Sequence, residues 1–356
     1  MNRTIMRWII RICMIIVVLS GIALFLYAPS FIRRWYPEKS INILVWPTEI
    51  DAQYLTEFEQ KTGIKVNINY IETNEELFIK MRAAQGSGYD LIMLSDHIVK
   101  LMIKEGLLTQ LDKSRLSFFN QFYPALLGHY FDPHNTYTIP YFWDVYGLGI
   151  NTTYYGGYLP EVSWNLVFDK NKVHDKVGML EDRREIILIA TKYLCGDIMK
   201  LRDPDCMQAV KKLLREQKEW VAAYTDMRVS YLLGSETVPV SIAVMSDVLR
   251  LNELHPEIVF RVPEEGGFAI IDSFAIPRGS NKQEYVYEFL NYLYTPRILE
   301  KYLNKYDLYS PIVGIKLKGV KQAAVIPTQK MFKNLDFYHS VVEEKIFDQM
   351  WIDIIS

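Results

Sequence analysis

The sequence lacks the short motifs that mark the common classes of enzyme. Its 356 residues contain no glycine-rich phosphate loop, no group of metal ligands at a suitable spacing and no nucleophile elbow. These absences argue against nucleotide-dependent, metal-dependent and serine-hydrolase chemistry. We therefore expect no enzymatic activity and no cofactor, and a carboxylate-dependent hydrolase is only a remote alternative.

The sequence also lacks a large net charge, because its 40 basic residues nearly balance its 42 acidic residues. The basic residues are concentrated at the start, because residues 1–40 hold six basic residues and one acidic residue. The rest of the chain has 34 basic and 41 acidic residues and a net charge of −7. An acidic body argues against nucleic-acid binding and favours a cationic partner.

Long apolar runs are absent except for one near the N-terminus. Residues 12–32 form an uncharged run of 21 residues that follows Arg3, Arg7 and Arg11. A run of this length can span a bilayer as one helix, so we interpret residues 1–40 as a membrane anchor or a cleaved signal peptide. Either interpretation places the body in the periplasm, tethered to the inner membrane if the helix is retained.

Cysteine is scarce, with three residues in the whole chain. Cys13 lies in the apolar run, and Cys195 and Cys206 lie in one polar segment. The oxidising compartment favours a disulfide between the last two, and two unpaired thiols are the alternative.

Strand and helix patterns alternate after residue 40, as in a doubly wound α/β sheet. Two long extended passages, TYTIPYFWDVYGLGIN and FAIIDSFAIPRGS, exceed a short strand and are suited to crossing between lobes. We predict a periplasmic-binding-protein-like fold with two α/β lobes, each a sheet flanked by helices. The predicted boundaries are residues 41–145 with 276–315 for lobe 1, and residues 146–275 with 316–356 for lobe 2.

Three further predictions concern local structure. The segment CMQAVKKLLREQKEWVAAY is predicted to be one helix, and so is the segment from Gln283 to Asn304. A capping box predicts that Thr73 begins a helix. Trp46 and Ser95 follow predicted strands, at the sheet edge where α/β proteins bind ligands.

Three carboxylates carry the strongest functional pattern. Asp182 and Glu185 open a predicted helix, and Asp272 lies in the returning passage. A carboxylate in a dry cleft is costly unless a cation meets it, so this pattern indicates a small organic cation. The alternative is a capping box for Asp182 and Glu185 and a turn residue for Asp272.

Seven segments together resemble one known family. In chain order they are TEFEQKTGIKV, NEEL, GYDLIMLSD, MIKEGLLTQLDKS, FDPHNTYTIPYFW, EDRRE and PEEGGFAIIDSFAIP. In their order and spacing they resemble the spermidine/putrescine-binding proteins of bacterial ABC importers, over nearly the whole chain after Lys39. The resemblance implies two lobes that close on a ligand without catalysis, a motion well documented for periplasmic binding proteins.

The resemblance also implies a set of ligand-binding positions. The positions that keep the family's residue are Trp46, Ser95, Asp182, Glu185 and Asp272. Tyrosine and tryptophan positions of the family are occupied by other residues, namely Glu49, His97, Met245 and Ile270. A late tyrosine of the family corresponds to Tyr309 or to Tyr306.

Each of these positions has a structural alternative. Trp46 is equally compatible with a core position at a strand end, and Ser95 with the N-cap of the next helix. His97 is compatible with an ordinary first-turn position and Glu49 with a solvated loop. Asp144 or Trp143 is a further candidate to reach the cleft from the crossing passage.

The resemblance implies a monomeric receptor that delivers a polyamine to the permease of an ABC transporter. The loss of aromatic positions leaves a second hypothesis, in which the same fold binds another cationic metabolite such as a basic amino acid or a related amine.

Overall fold

The computed structural model describes residues 39–47, 50, 52–225, 228–306, 308–315, 332–337 and 341–356, and the isolated positions Met14, Ile16 and Ser20. Glu49 and most of the predicted export segment lie outside the described residues. Within these ranges, no helix has both the length and the apolar character that crossing a bilayer requires.

The chain alternates between strands and helices. The strands are β1 Ser40–Val45, β2 Lys65–Tyr70, β3 Leu91–Ser95, β4 Thr138–Asn151, β5 Val177–Met179, β6 Val221–Tyr224, β7 Val240–Val244, β8 Ile258–Arg261, β9 Gly267–Ala275 and β10 Leu335–Phe337. The helices are α1 Ala52–Thr62, α2 Asn74–Ala83, α3 Asp96–Lys104, α4 Asn165–Phe168, α5 Arg183–Cys195, α6 Pro204–Gln217, α7 Val229–Gly234, α8 Met245–Asn252, α9 Gln283–Leu293, α10 Pro296–Tyr306 and α11 Glu344–Ile355.

Two long strands connect the two lobes. The strand order is β2-β1-β3-β9-β4-β7-β5-β6, with β10 beside β9 and β8 beside β4. The neighbours β2, β1 and β3 are parallel, and so are β7, β5 and β6. The antiparallel strands β9 and β4 lie between these two groups. The predicted crossing passages are therefore confirmed.

The apolar packing changes along both crossing strands. In β4, Val145 packs in the core that surrounds β1, and Tyr146 packs in the core that surrounds β5. In β9, Phe268 and Ile270 pack against the core around β5, whereas Ala269 and Ile271 pack in the core around β1. The middle of the crossing pair therefore lies between two separate cores.

Two of the helix predictions were wrong in extent. Residues Val221–Tyr224 form β6 rather than the end of a helix, because they pair in parallel with β5 after a 3-10 turn at Lys218–Trp220. The segment from Gln283 onward is two helices, because Pro296 cannot donate the backbone hydrogen bond that would continue α9. The cap at Thr73 is confirmed, since its side chain accepts a hydrogen bond from Glu76 N.

A disulfide joins Cys195 to Cys206, with 6.4 Å between their Cα atoms. The bond links the last residue of α5 to the first turn of α6 and decides between the two alternatives for these cysteines. Closing a loop of this size in the unfolded chain stabilises the fold by about 3 kcal/mol in the chain-entropy account.

Candidate functional site

Asp272 lies on the accessible face of the crossing strand β9. Within β9, Ile270 and Asp272 keep part of their surface accessible, and the other residues are buried. Residues two apart in a strand point to the same face. Asp272 is also the ladder partner of Ser95 at the end of β3. The ligand edge of β1 and β3 thus meets the crossing strand at Asp272.

Ser95 and Trp46 both contact this carboxylate. Ser95 Oγ donates a hydrogen bond of 2.7 Å to Asp272 Oδ1. Ser95 occupies the N-cap position of α3, but its side chain makes no capping hydrogen bond. Burial raises the pKa of Asp272, and hydrogen bonds from Ser95 and Trp46 offset part of this rise. The two predicted contacts therefore lie with Asp272 in one cluster.

A second carboxylate, which is not among the predicted positions, lies beside this cluster. Asp96 follows Ser95 and begins α3, and its side chain is buried. Its Oδ2 accepts no hydrogen bond from the part of the chain that the structure describes. Burial raises the pKa of Asp96, and the neighbouring charge of Asp272 raises it further. Two acids that disfavour each other's charge are therefore placed together.

Asp182 is bound by an arginine of its own helix. It is the N-cap of α5, where Oδ1 accepts a hydrogen bond of 2.7 Å from Arg184 N. The Arg184 side chain also donates to it, with Nε 3.0 Å from Oδ1. Asp182 precedes the first helical turn, so this pair escapes the rule that residues two apart on a helix do not face each other. The capping alternative for Asp182 thus holds in this structure.

The Arg184 side chain lies close to carboxylates from three elements of the structure. Its Nη2 lies 3.6 Å from Glu75 Oε1 of α2, and its Nη1 lies 3.7 Å from Glu344 Oε1 of α11. Its side chain is 9% exposed, whereas that of the adjacent Arg183 is 30% exposed. Because α2 and α5 flank different cores, Arg184 forms an ion pair across the gap between the lobes.

Arg184 lowers the pKa values of two titratable groups next to it. Burial alone would raise the pKa of Asp182, but hydrogen bonds and charge from Arg184 outweigh burial and lower it. Burial and the charge of Arg184 lower the pKa of His97 to about 3. His97, in the first turn of α3, is therefore neutral at physiological pH and does not act as a pH sensor there.

Outside this ion pair, a groove of about 830 Å³ runs between α2, α3 and the starts of α5 and α11. His97, Arg184 and Glu75 line it, together with the apolar side chains of Phe78 and Ile79. The groove therefore borders the interior site.

Glu185 reaches the same strand face as Asp272. It lies in the first turn of α5 and lines a narrow cavity with Ile270, Tyr146 and Phe268. Ile270 and Asp272 share a face of β9, so Glu185 approaches one end of the accessible face and Ser95 the other.

Asp144 lies directly across the ladder from Ile270. Its Oδ1 accepts a hydrogen bond of 2.7 Å from Val145 N, and its Oδ2 accepts one of 3.2 Å from Ser246 N at the start of α8. Asp144 is 5% exposed. Burial raises its pKa to about 7, despite the hydrogen bonds from these two residues.

Tyr309 and Met245 are buried next to Asp144. Tyr309 stacks on Trp143 with 4.4 Å between ring centroids. Burial raises the pKa of the Tyr309 hydroxyl, and the charge of Asp144 raises it further. Met245 begins α8, immediately before Ser246, and packs in the core around β1.

The raised pKa of Asp144 predicts how stability depends on pH. Between about pH 4 and pH 7 the folded protein holds a proton on Asp144 that the unfolded chain has released. Folding stability from this group is therefore complete at low pH and is lost as pH rises toward 7. We expect Asp144→Asn to flatten the decline in unfolding free energy over this range.

Urea unfolding of the ligand-free protein at several pH values measures this effect. Asp336→Asn is the control, since Asp336 lies on β10 and is paired with Lys192 at 2.7 Å. An equal decline in wild type and Asp144→Asn would contradict the assignment.

The structure brings most of the predicted positions to one region. Trp46, Ser95 and Asp272 form one cluster, Asp182 lies near His97, and Glu185 lines a cavity with Ile270. The structure adds Asp96, Arg184 and Glu75, and it places the candidate Asp144 beside Ile270. Asp96 directly follows the predicted Ser95, and that adjacency was the available signal.

Comparison with known proteins agrees with this architecture. Residues 87–340 match the family described as bacterial extracellular solute-binding protein. The spermidine/putrescine-binding periplasmic protein of Salmonella typhimurium is 28% identical over 260 residues, which is 72% of this chain and 73% of that protein. The putrescine-binding periplasmic protein SpuD of Pseudomonas aeruginosa is 26% identical over 319 residues, covering 83% and 86% of the two chains.

A solved structure shows the same fold. The spermidine/putrescine ABC transporter substrate-binding protein PotD of Streptococcus pneumoniae superposes with a TM-score of 0.79 at 23% identity. The match covers 89% of this chain and 98% of that chain. The fold is therefore that of a two-lobed periplasmic binding protein. With more than half of its length matched, this chain belongs to the family of bacterial extracellular solute-binding proteins.

Proposed function

We propose that this protein captures a polyamine of the putrescine or spermidine type between its lobes and delivers it to an ABC permease. The observation that carries the proposal is Asp272, a partly accessible carboxylate on the crossing strand whose hydrogen-bond donors among the described residues are Ser95 and Trp46 rather than a cation. Relatives named as putrescine- or spermidine-binding proteins support this choice of ligand.

The proposed roles follow from the placement of the side chains. An ammonium group binds Asp272 and Ser95 through charge-assisted hydrogen bonds, which are about twice as strong as neutral ones. Trp46 covers the adjacent methylenes. The second lobe contributes Glu185, while Asp182 holds Arg184 and so supports the lobe contact.

The other predicted positions line the rest of the proposed binding site. Ile270 and Met245 line the methylene chain, His97 is a neutral neighbour of the entrance, and Tyr309 closes the site beside Asp144. Glu49 adds negative charge in this proposal. Each lost cation–π contact costs about 0.5–2 kcal/mol, so we propose weaker binding than an aromatic site would give.

A second candidate ligand is a different cationic metabolite, such as a basic amino acid or a related amine. The aliphatic Ile270 beside Glu185 favours it, because an aliphatic side chain offers no cation–π contact to the ammonium groups of a polyamine. A carboxylate-dependent hydrolase has no comparable support.

The remaining proposals concern organisation. We propose the lobes as residues 41–145 with 276–315 and 146–275 with 316–356, supported by the change of core between Val145 and Tyr146. We also propose a periplasmic monomer without affinity for nucleic acid, held near its permease if the N-terminal helix is retained.

Thermal unfolding with a panel of ligands tests the function. Spermidine, putrescine, arginine and glucose are added separately to the purified protein. A ligand at one hundred times its dissociation constant stabilises the folded state by about 2.7 kcal/mol. We expect spermidine or putrescine to raise the melting temperature most and glucose to have no effect. A shift with arginine alone would favour the second candidate, and no shift with any amine would contradict both.

A further inference from the structure

We propose that Asp144 is an additional amine-binding carboxylate, and that the spacing between Asp272 and Asp144 selects a short diamine. This inference rests on the proposed function, since it names the length of the amine that the same site takes. The two carboxylates would hold the two ammonium groups, with Ile270 beside the methylenes between them.

The register of the crossing strands places the two acids on one face. Phe142 is the ladder partner of Asp272, and Asp144 is the partner of Ile270. Asp144 and Asp272 are therefore diagonal neighbours in an antiparallel pair, which lie about 7–8 Å apart along the sheet. A diamine with a short methylene chain spans a similar distance, so each of its ammonium groups can meet one of the two carboxylates.

Asp144 is a buried carboxylate, and a bound cation would stabilise its charged form. In the described ranges no lysine or arginine pairs with it, and the neighbouring charge that acts on it is the like charge of Asp247. Its hydrogen bonds from Val145 N, Ser246 N and the Ser246 side chain still leave acceptor capacity, because a carboxylate has about four lone-pair sites. A buried carboxylate without a cation is costly and takes up a proton instead. Burial raises the pKa of Asp144 to about 7, so an arriving ammonium group can displace that proton near neutral pH.

The Asp272 end of the accessible face of β9 also favours a bound cation. Asp96 is buried beside Asp272, and its Oδ2 accepts no hydrogen bond from the described residues. This unsatisfied oxygen is a separate observation that points to a missing donor. An ammonium group at Asp272 supplies three donors and relieves the repulsion between the two acids.

Arg184 rules out Asp182 as the carboxylate that binds the second ammonium group. The sequence favoured Asp182 with Glu185 for that role, but Arg184 binds Asp182 and lowers its pKa. The negative charge left at the Ile270 end belongs to Asp144 and Glu185, and of these Asp144 is fixed by the strand register.

Calorimetry with amines of graded length tests the proposal. Binding of butylamine, 1,3-diaminopropane, putrescine, cadaverine and spermidine is measured at pH 8 for wild type, for Asp144→Asn and for the control Asp336→Asn, whose acid is paired with Lys192 on β10. We expect wild type and Asp336→Asn to bind putrescine or cadaverine at least 30-fold more tightly than butylamine. In Asp144→Asn this preference should fall below threefold, with butylamine affinity retained.

The outcomes separate this inference from the function on which it rests. Wild type that binds no amine overturns the proposed function and this inference with it. Wild type that binds diamines, with the preference over butylamine unchanged in Asp144→Asn, overturns the role of Asp144 alone. Tightest binding of spermidine by wild type would overturn the selection of a short diamine. Retained butylamine affinity shows that Asp144→Asn is folded, because Asp272 still works.

Discussion

Replacing Arg184 with methionine is expected to destabilise the ligand-free protein by about 3–5 kcal/mol, the range for removing one partner of a buried charge pair. The substitution leaves Asp182 partly buried with the backbone hydrogen bond from residue 184, but without the side-chain hydrogen bonds and the charge of the arginine. It also removes the cation near Glu75 and Glu344. Methionine keeps much of the packing volume, so the loss reports charge rather than a cavity.

Urea unfolding measures this change, and Arg183→Met is the matched control. Arg183 is the neighbouring residue and also binds two carboxylates, Glu344 and Asp348, but its side chain is far more exposed. Exposed ion pairs contribute about 0–1 kcal/mol. Equal destabilisation by the two variants would show that Arg184 does not hold the lobes through buried charge.

Replacing Asp272 with asparagine is expected to weaken putrescine binding at least 100-fold. An ammonium group that loses its carboxylate in a desolvated site forfeits about 3–5 kcal/mol, and each tenfold change in affinity corresponds to about 1.4 kcal/mol. Asparagine preserves an acceptor for Ser95 Oγ and removes a buried charge. The ligand-free variant should therefore fold at least as stably as wild type.

Calorimetry on the purified variant measures the loss, with Asp336→Asn as control. Asp336 lies on β10 beside β9 and is already paired with Lys192 at 2.7 Å. Its replacement should leave putrescine affinity unchanged. Undiminished binding in Asp272→Asn would mean that the amine binds elsewhere.

The fold was predictable where local pattern and global architecture agree. The two crossing strands were readable because fourteen and nine consecutive residues are extended, longer than a strand within one lobe requires. The cap at Thr73 was readable from its own four-residue motif. The end of α6 was not, because Val221–Tyr224 also fit a helical pattern and only pairing with β5 selects a strand.

The acidic residues of the site were predictable from the sequence, but the residues that contact each acid were not. Asp272 contacts Ser95, which lies 177 positions away in the chain, and the resemblance implied both positions but not the contact between them. The pairing of Asp182 with Arg184 is not expected from the sequence, because residues two apart inside a helix do not face each other, and it forms here because Asp182 is the N-cap. Asp144 was left as one candidate among two, because its position depends on the register of β4 against β9, which strand patterns alone do not fix.

A crystal structure of the protein grown with putrescine tests the central claim most directly. The account predicts an extended diamine in the gap between β3, β9 and α5, with one nitrogen within hydrogen-bonding distance of the Asp272 carboxylate and the methylenes against Ile270. A diamine bound away from Asp272, or an Asp272 carboxylate turned toward bulk solvent in the complex, would contradict it.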